Sequence, residues 1–196
     1  MQSPEERQKH FQQQRFDQAV ISSRVPRHTR DRRLDKLEKT EGNRKAFAAV
    51  ADFLNGNLDP PILLLIGIPG VGKTTLAYAA AWDFLDDGAS VIYYQAEELL
   101  NELQSVLTEG KEFGRIWDKL KKADLVIIDD LGAHNRTPWR DAQLDALVDY
   151  RYREAAPLII TANKLADQSE RILDRVKEGA SAVITGESWR GKGKKE

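Results

Sequence analysis

The chain has 196 residues, 41% hydrophobic and 31% charged, with 13 glycines and 7 prolines; this excludes collagen-like, low-complexity and largely disordered polymers and suffices for one well-buried core. It contains no cysteine, which excludes a disulfide framework and any thiolate metal cluster, and its three histidines (His10, His28, His134) are too scattered for a metal site. The net charge of −1 hides a segregation, with 12 Lys/Arg against 7 Asp/Glu in residues 1–45, 8 against 17 in 46–150 and 10 against 7 in 151–196, a pattern that suits contact with phosphate backbones and equally suits solvated tails.

Residues 1–20 are rich in Gln, Arg and Glu, with Phe11, Phe16, Ala19 and Val20 as the apolar positions, and read as a helix that needs a partner or a frayed tail. Residues 21–45 carry Pro26 and then a dense charge run, which reads as a linker or wrapping arm. From Arg44, the positions Phe47, Val50, Ala51 and Leu54 repeat as a helix face does, and Asn55-Gly56 supplies the stop. After Pro60-Pro61 the run ILLLI (62–66) predicts a strand buried on both faces. A helix over Lys73–Leu85 follows, then a turn at Asp86-Asp87-Gly88 and a strand over 90–94. Helical patterns cover 96–107, 111–122 and 138–152, and strands cover 125–128 and 158–161. The alternation predicts an α/β fold, a parallel sheet with helices on both faces. The longest apolar run, Leu76 to Trp82, is far below the roughly 20 residues of a bilayer span, and MQSPEERQKH is no signal peptide, so a cytoplasmic protein with no membrane partner is expected.

Gly67-Ile68-Pro69-Gly70-Val71-Gly72-Lys73-Thr74 fits the phosphate-loop pattern G-x-x-x-x-G-K-[ST], with a strand before it and a helix after it. The glycines at 67, 70 and 72 let backbone N–H groups converge at a helix N-terminus, where an anion is stabilised. We therefore expect a nucleotide on Gly67, Ile68, Pro69, Gly70, Val71, Gly72, Lys73, Thr74 and Thr75. Lys73 would neutralise the β and γ phosphates, and the Thr74 hydroxyl would hold Mg²⁺. The alternative, a glycine-rich turn that binds nothing, does not call for lysine and threonine in register.

Such a loop needs a carboxylate at the tip of a neighbouring strand. Asp129 ends the apolar run Leu125-Val126-Ile127-Ile128 and is assigned to Mg²⁺; Asp130 beside it would orient or activate the attacking water. Asn163, after the strand at 158–161, is the candidate polar sensor of the γ phosphate, with an ordinary Asn-Lys turn as the alternative.

GIPGVGKTT, LVIIDDLG, PLIITANK, ERILDRV and GESWR together resemble the AAA+ ATPases of the DnaC/IstB type, which include replicative helicase loaders, the primosomal loader DnaI and helpers of insertion-sequence transposases. The likeness runs from about Ser23 to Arg190 and implies a P-loop NTPase core over 46–190. Residues 1–22 would be an N-terminal extension, 23–45 a basic linker wrapping the core and 191–196 a basic tail. The resemblance places Asp129 and Asp130 on the Walker B pair and Asn163 on sensor 1. It places Arg175 on the arginine finger that reaches a neighbouring subunit, and Arg190 on sensor 2. For Arg175 the alternative is a salt bridge with Glu178 on its own helix. Two departures accompany the likeness: only Met1–Ser22 precedes the family-like segment, where loaders often carry a helicase-binding domain, and six residues follow Arg190, which implies a minimal or absent C-terminal lid.

The resemblance implies ATP and Mg²⁺ as cofactors, an ATP-dependent homo-oligomer, and a helicase loader with single-stranded DNA and a replicative helicase as partners, the alternative being a transposition helper with a transposase as partner. DNA needs phosphate neutralisation and aromatic faces. The candidates are Lys111, Arg115, Trp117, Lys119, Lys121 and Lys122 before the acidic strand, and Arg136, Trp139 and Arg140 after it. For each tryptophan, packing against the core is the preferred reading. Rival readings are a nucleotide-switched DNA-binding module with negligible turnover and a small-molecule P-loop kinase, the latter disfavoured because no arginine-rich acceptor lid is evident.

Overall fold

The computed structural model describes residues 4–108, 114–132, 135–164 and 169–189. In chain order it contains helix α1 (Pro4–Ser23), a 3-10 turn (Arg27–Thr29), α2 (Arg44–Leu54), β1 (Ile62–Ile66), α3 (Lys73–Asp86), β2 (Val91–Gln95), α4 (Ala96–Thr108), α5 (Gly114–Lys122), β3 (Leu125–Leu131), α6 (Pro138–Arg153), β4 (Leu158–Ala162), α7 (Glu170–Glu178) and β5 (Ala180–Val183). The five strands pair in the order β2-β3-β4-β1-β5, every pair parallel. None of the described helices is long and apolar enough to cross a membrane.

The continuous apolar run of β1 is explained by burial on both faces. Leu63 and Leu65 enter one apolar layer with α2, α3 and Val20 of α1, and Ile62, Leu64 and Ile66 enter the other with residues of α4 to α7. The expected α/β layering is therefore present, with two differences. The acidic strand β3 is not adjacent to β1, because β4 lies between them. A fifth strand, β5, extends the sheet beyond β1; of its four residues only Ala182 is buried, so it shows neither an apolar run nor alternation. Along α2 the buried face is Ala46, Phe47, Val50 and Phe53, with Leu54 only partly covered, which rotates the expected stripe slightly toward Phe53.

The leading helix does find a partner within the chain. α1 packs on β2 and α3, with Val20 buried and Phe16 and Ala19 half-buried against the same apolar layer. Just after it, Arg24 reaches Glu98 and Glu102 of α4 at 2.6 Å each and lies 4.0 Å over the Tyr94 ring. The following segment lies along α3: the Trp82 indole N–H donates to the Thr29 hydroxyl at 3.0 Å, and Arg33 pairs with Asp86 at 2.6 Å.

The same segment is fastened to the chain beyond β5, where the Thr185 N–H donates to the Gly42 carbonyl at 2.9 Å. A Cβ on residue 42 would stand 2.2 Å from the Thr185 carbonyl oxygen, so no side chain fits without moving backbone. Gly42→Ala should cost about 1–3 kcal/mol, seen as a lower urea midpoint at unchanged m-value. An unshifted midpoint would mean that this junction is loose in solution.

Candidate nucleotide-binding site

The loop from Gly67 to Gly72 leaves β1 at the carboxyl edge of the sheet and turns directly into α3. Gly70 and Gly72 take positive φ values of 86° and 103°, and Gly72 caps α3 in the left-handed region that side chains disfavour. The loop thus presents the N-terminus of a buried 14-residue helix to the cleft, a site suited to anions.

Lys73 is 6% exposed, and its ammonium donates to the carbonyls of Gly67 (2.8 Å) and Ile68 (3.1 Å) and to Asn163 Oδ1 (2.9 Å). Asn163 in turn donates from Nδ2 to Asp130 Oδ1 at 2.9 Å. One amide therefore joins the loop lysine to the second aspartate, which ties Asn163 to the site rather than to an isolated turn. Asp130 sits at a β-bulge where the β3–β4 register shifts between Ile128 and Leu131, with φ 56°. Aspartate tolerates this backbone region better than most side chains. Its N–H donates to the Thr161 hydroxyl at 2.9 Å, and the bulge leaves residue 130 exposed while Asp129 is 4% exposed.

Asp129 is held from three sides. The Thr74 hydroxyl lies 2.9 Å and 3.1 Å from its two oxygens, Thr161 Oγ1 donates to Oδ1 at 2.5 Å, and the Tyr93 hydroxyl donates to Oδ2 at 2.8 Å. Burial, followed by the nearby Asp129 charge, pushes the Tyr93 hydroxyl well above the usual phenol range, so it remains a donor. A hydroxyl and a carboxylate side by side form the hard-oxygen pair that Mg²⁺ takes when most of its shell is water or phosphate, so Thr74 and Asp129 fit that ion. Among the described residues no cluster of three or more His, Cys, Asp or Glu forms an all-protein metal cage.

These groups line a cleft of about 840 Å³. Its other wall was not legible in sequence: Arg32, Lys36, Leu37 and Glu38 of the segment before α2, with Asn43 and Phe47, face the phosphate loop. Asn43 shapes that wall, accepting from Thr40 N at 2.8 Å and donating to the Glu38 carbonyl at 2.9 Å. Trp189 closes the rim, its N–H donating to the Gly70 carbonyl at 2.9 Å. Arg190 lies outside the described residues.

Arg175 does not line this cleft. On α7 it pairs with Asp149 of α6 at 3.1 Å and lies 4.4 Å over the Tyr152 ring. Glu178, the alternative partner, instead accepts from the Tyr152 hydroxyl. Of the candidate DNA contacts, Lys111 lies outside the described residues. Arg140 is not placed to meet DNA phosphates: it is 9% exposed, with its guanidinium on Glu97 (2.9 Å), Asn101 (2.5 Å) and Gln104 (3.2 Å). Arg136 pairs with Asp141 at 3.1 Å, and Trp117 and Trp139 pack partly buried against the core, as preferred. Arg115, Lys119, Lys121 and Lys122 are exposed on α5.

The family description "IstB-like ATP binding protein" matches residues 6–196. The chain belongs to this family. Among relatives of this IstB-like protein, an ATP-binding protein of insertion sequence IS21 from Pseudomonas aeruginosa is 32% identical over 145 residues, 68% of this chain and 54% of that protein. The replicative helicase loader DnaC of Escherichia coli K12 is 25% identical over 146 residues, 71% of this chain and 58% of the loader. The crystal structure of DnaI superposes with a TM-score of 0.70 at 25% identity, covering 83% of this chain and 95% of the other. The IstB-like chain thus spans little more than half the length of these two curated relatives, and its fold is the P-loop AAA+ core.

Proposed function

We propose that this IstB-like protein binds ATP with Mg²⁺, hydrolyses it, and uses the ATP state to engage single-stranded DNA and a partner of the replicative helicase or transposase class. The observation that carries the reading is the Lys73–Asn163–Asp130 chain beside the Thr74–Asp129 pair, all in one cleft.

Loop N–H groups and the Lys73 ammonium hold the β and γ phosphates. Mg²⁺ on Thr74 and Asp129 would neutralise phosphate charge. Asp130, steadied by Asn163, orients a water oxygen toward the γ phosphorus and takes its proton; the new P–O bond forms as the bond to the bridging oxygen breaks, leaving ADP and phosphate. Arg175 serves the cleft of the next subunit, where a guanidinium stabilises charge on the transferring phosphoryl group. Head-to-tail association of this kind closes into rings or runs on as helical filaments. Lys119, Lys121 and Lys122 in the last turn of α5 supply exposed charge for DNA phosphates.

The transposition-helper reading is favoured over the helicase-loader reading by one observation, the 32% identity to the IS21 protein against 25% to the loader. Both readings use every nucleotide residue named here, so the partner decides. The test is phosphate release from ATP with and without single-stranded DNA, and with a replicative helicase or a transposase added. We expect DNA to change the rate, one partner to change it further, and Arg175→Ala subunits to depress wild-type subunits when mixed. If no condition exceeds the Lys73→Ala background, the protein is a nucleotide-switched binding module and the roles of Asp130 and Arg175 fall.

A further inference from the structure

We propose that Tyr93 is the positioning residue that fixes the plane of the Asp129 carboxylate toward the metal, an inference that rests on the Mg²⁺ reading of the site. As the side chains stand, Thr74 contacts both oxygens of Asp129, while Thr161 holds Oδ1 and Tyr93 holds Oδ2. The Thr74 hydroxyl has a single proton, and while a lone pair of its oxygen faces the cation that proton serves only one of the two carboxylate oxygens at a time. Beyond that shared proton each carboxylate oxygen has a donor of its own, Thr161 on Oδ1 and Tyr93 on Oδ2. Two fixed donors define the plane of the carboxylate; without Tyr93, only the shared Thr74 proton opposes rotation about the bond to Cβ that carries Oδ2 away.

The surroundings of Tyr93 suit it to this task. Tyr93 is 5% exposed on β2 and registers with Ile127, so its ring reaches diagonally across to Asp129, two residues further along β3. Its hydroxyl lies 3.2 Å from that of Tyr78 on α3, which donates to it, and the two rings lie 5.2 Å apart. With its lone pair engaged from behind, the Tyr93 proton is directed at Asp129, a one-way relay from helix to strand to carboxylate. The ring is anchored in the apolar layer between α3 and the sheet, which holds the donor in place. Groups one step removed from a metal commonly set the orientation of its ligands, and their loss lowers metal affinity about 10- to 100-fold.

The test is the affinity of a fluorescent ADP analogue measured in EDTA and across a Mg²⁺ titration, for wild type, Tyr93→Phe, Tyr78→Phe and Asp129→Asn. Tyr93→Phe keeps the ring in the core and removes only the donor; a thermal melt confirms folding. We expect its affinity in EDTA to match wild type, while about 10-fold more Mg²⁺ is needed to reach half of the metal-dependent tightening. Tyr78→Phe should shift the midpoint less, and Asp129→Asn should abolish the tightening. A Tyr93→Phe curve superimposed on a Mg²⁺-responsive wild type overturns the inference alone. A wild type whose affinity ignores Mg²⁺, or whose tightening survives in Asp129→Asn, overturns the metal reading and this inference with it.

Discussion

Asp130→Asn is expected to leave ATP binding intact and to lower single-turnover phosphate release by about 100- to 10,000-fold, the range of a positioned general base. The change is sharp because so little else moves. Asparagine tolerates the φ of 56° that the bulge imposes on residue 130, and its side-chain oxygen still accepts from Asn163 Nδ2. The N–H of residue 130 also keeps the Thr161 hydroxyl. What disappears is the carboxylate oxygen that can receive a proton from water, replaced by an amide that donates. Binding of a fluorescent ATP analogue and rapid-quench phosphate release, run side by side, separate the two effects. Turnover at the wild-type rate would remove Asp130 from the chemistry and leave it as a bulge residue. A parallel loss of binding would place it among the groups that hold the phosphates.

The parts of this site that could be read from sequence are those whose chemistry requires residues adjacent along the chain. Converging backbone N–H groups demand glycines at fixed offsets, and a lysine and threonine on the first helical turn, so Gly67 to Thr74 declares itself locally. A carboxylate at the end of a doubly buried strand is equally local, and Asp129 follows from Ile127-Ile128. The rest depends on strand order. Tyr93 and Thr161 grip Asp129 because β2 and β4 flank β3, a pairing that no spacing within one segment encodes. Asn163 was found as a strand-end amide, yet its double role needs β4 between β1 and β3, which brings Lys73 and Asp130 within reach of one side chain. The wall made by Arg32 and Lys36 depends on tertiary contacts too: a charge-rich stretch without periodicity reads as a linker or wrapping arm, and only its hydrogen bonds to α3 and to Thr185 fix what it wraps. β5 escaped because one buried alanine in four residues gives no pattern.

Arg151→Met is expected to be the most destabilising single change, at least about 3 kcal/mol, since each buried carbonyl left without a donor costs about 1–3 kcal/mol. The side chain is fully buried, and its two terminal nitrogens donate to four carbonyls: Leu120 (3.2 Å), Ala123 (2.7 Å), Asp124 (3.3 Å) and Pro157 (2.5 Å). Those carbonyls belong to the end of α5, the turn into β3 and the turn into β4; the Pro157 carbonyl also accepts from the Val126 N–H at 3.2 Å and so keeps one donor when the guanidinium goes. One planar cation on α6 therefore fixes where the two strands begin that later deliver Asp129, Asp130 and Asn163. Burial pulls the guanidinium down to about 10, which leaves it charged at neutral pH, so the cost of burying that charge is already included in the native state. Methionine fills much of the volume and removes the donors, isolating the hydrogen bonds from the packing. Lysine keeps a charge but offers three donors from a single atom in place of a fork, so Arg151→Lys should recover only part of the loss. Urea unfolding of the three proteins checks the order wild type, Lys, Met. If Met equals wild type, water replaces the guanidinium at these carbonyls and the strand starts are held by the sheet alone. If the order holds, fluorescent nucleotide affinity should fall with stability, because the Lys73–Asn163–Asp130 chain closes only when β3 and β4 start in register.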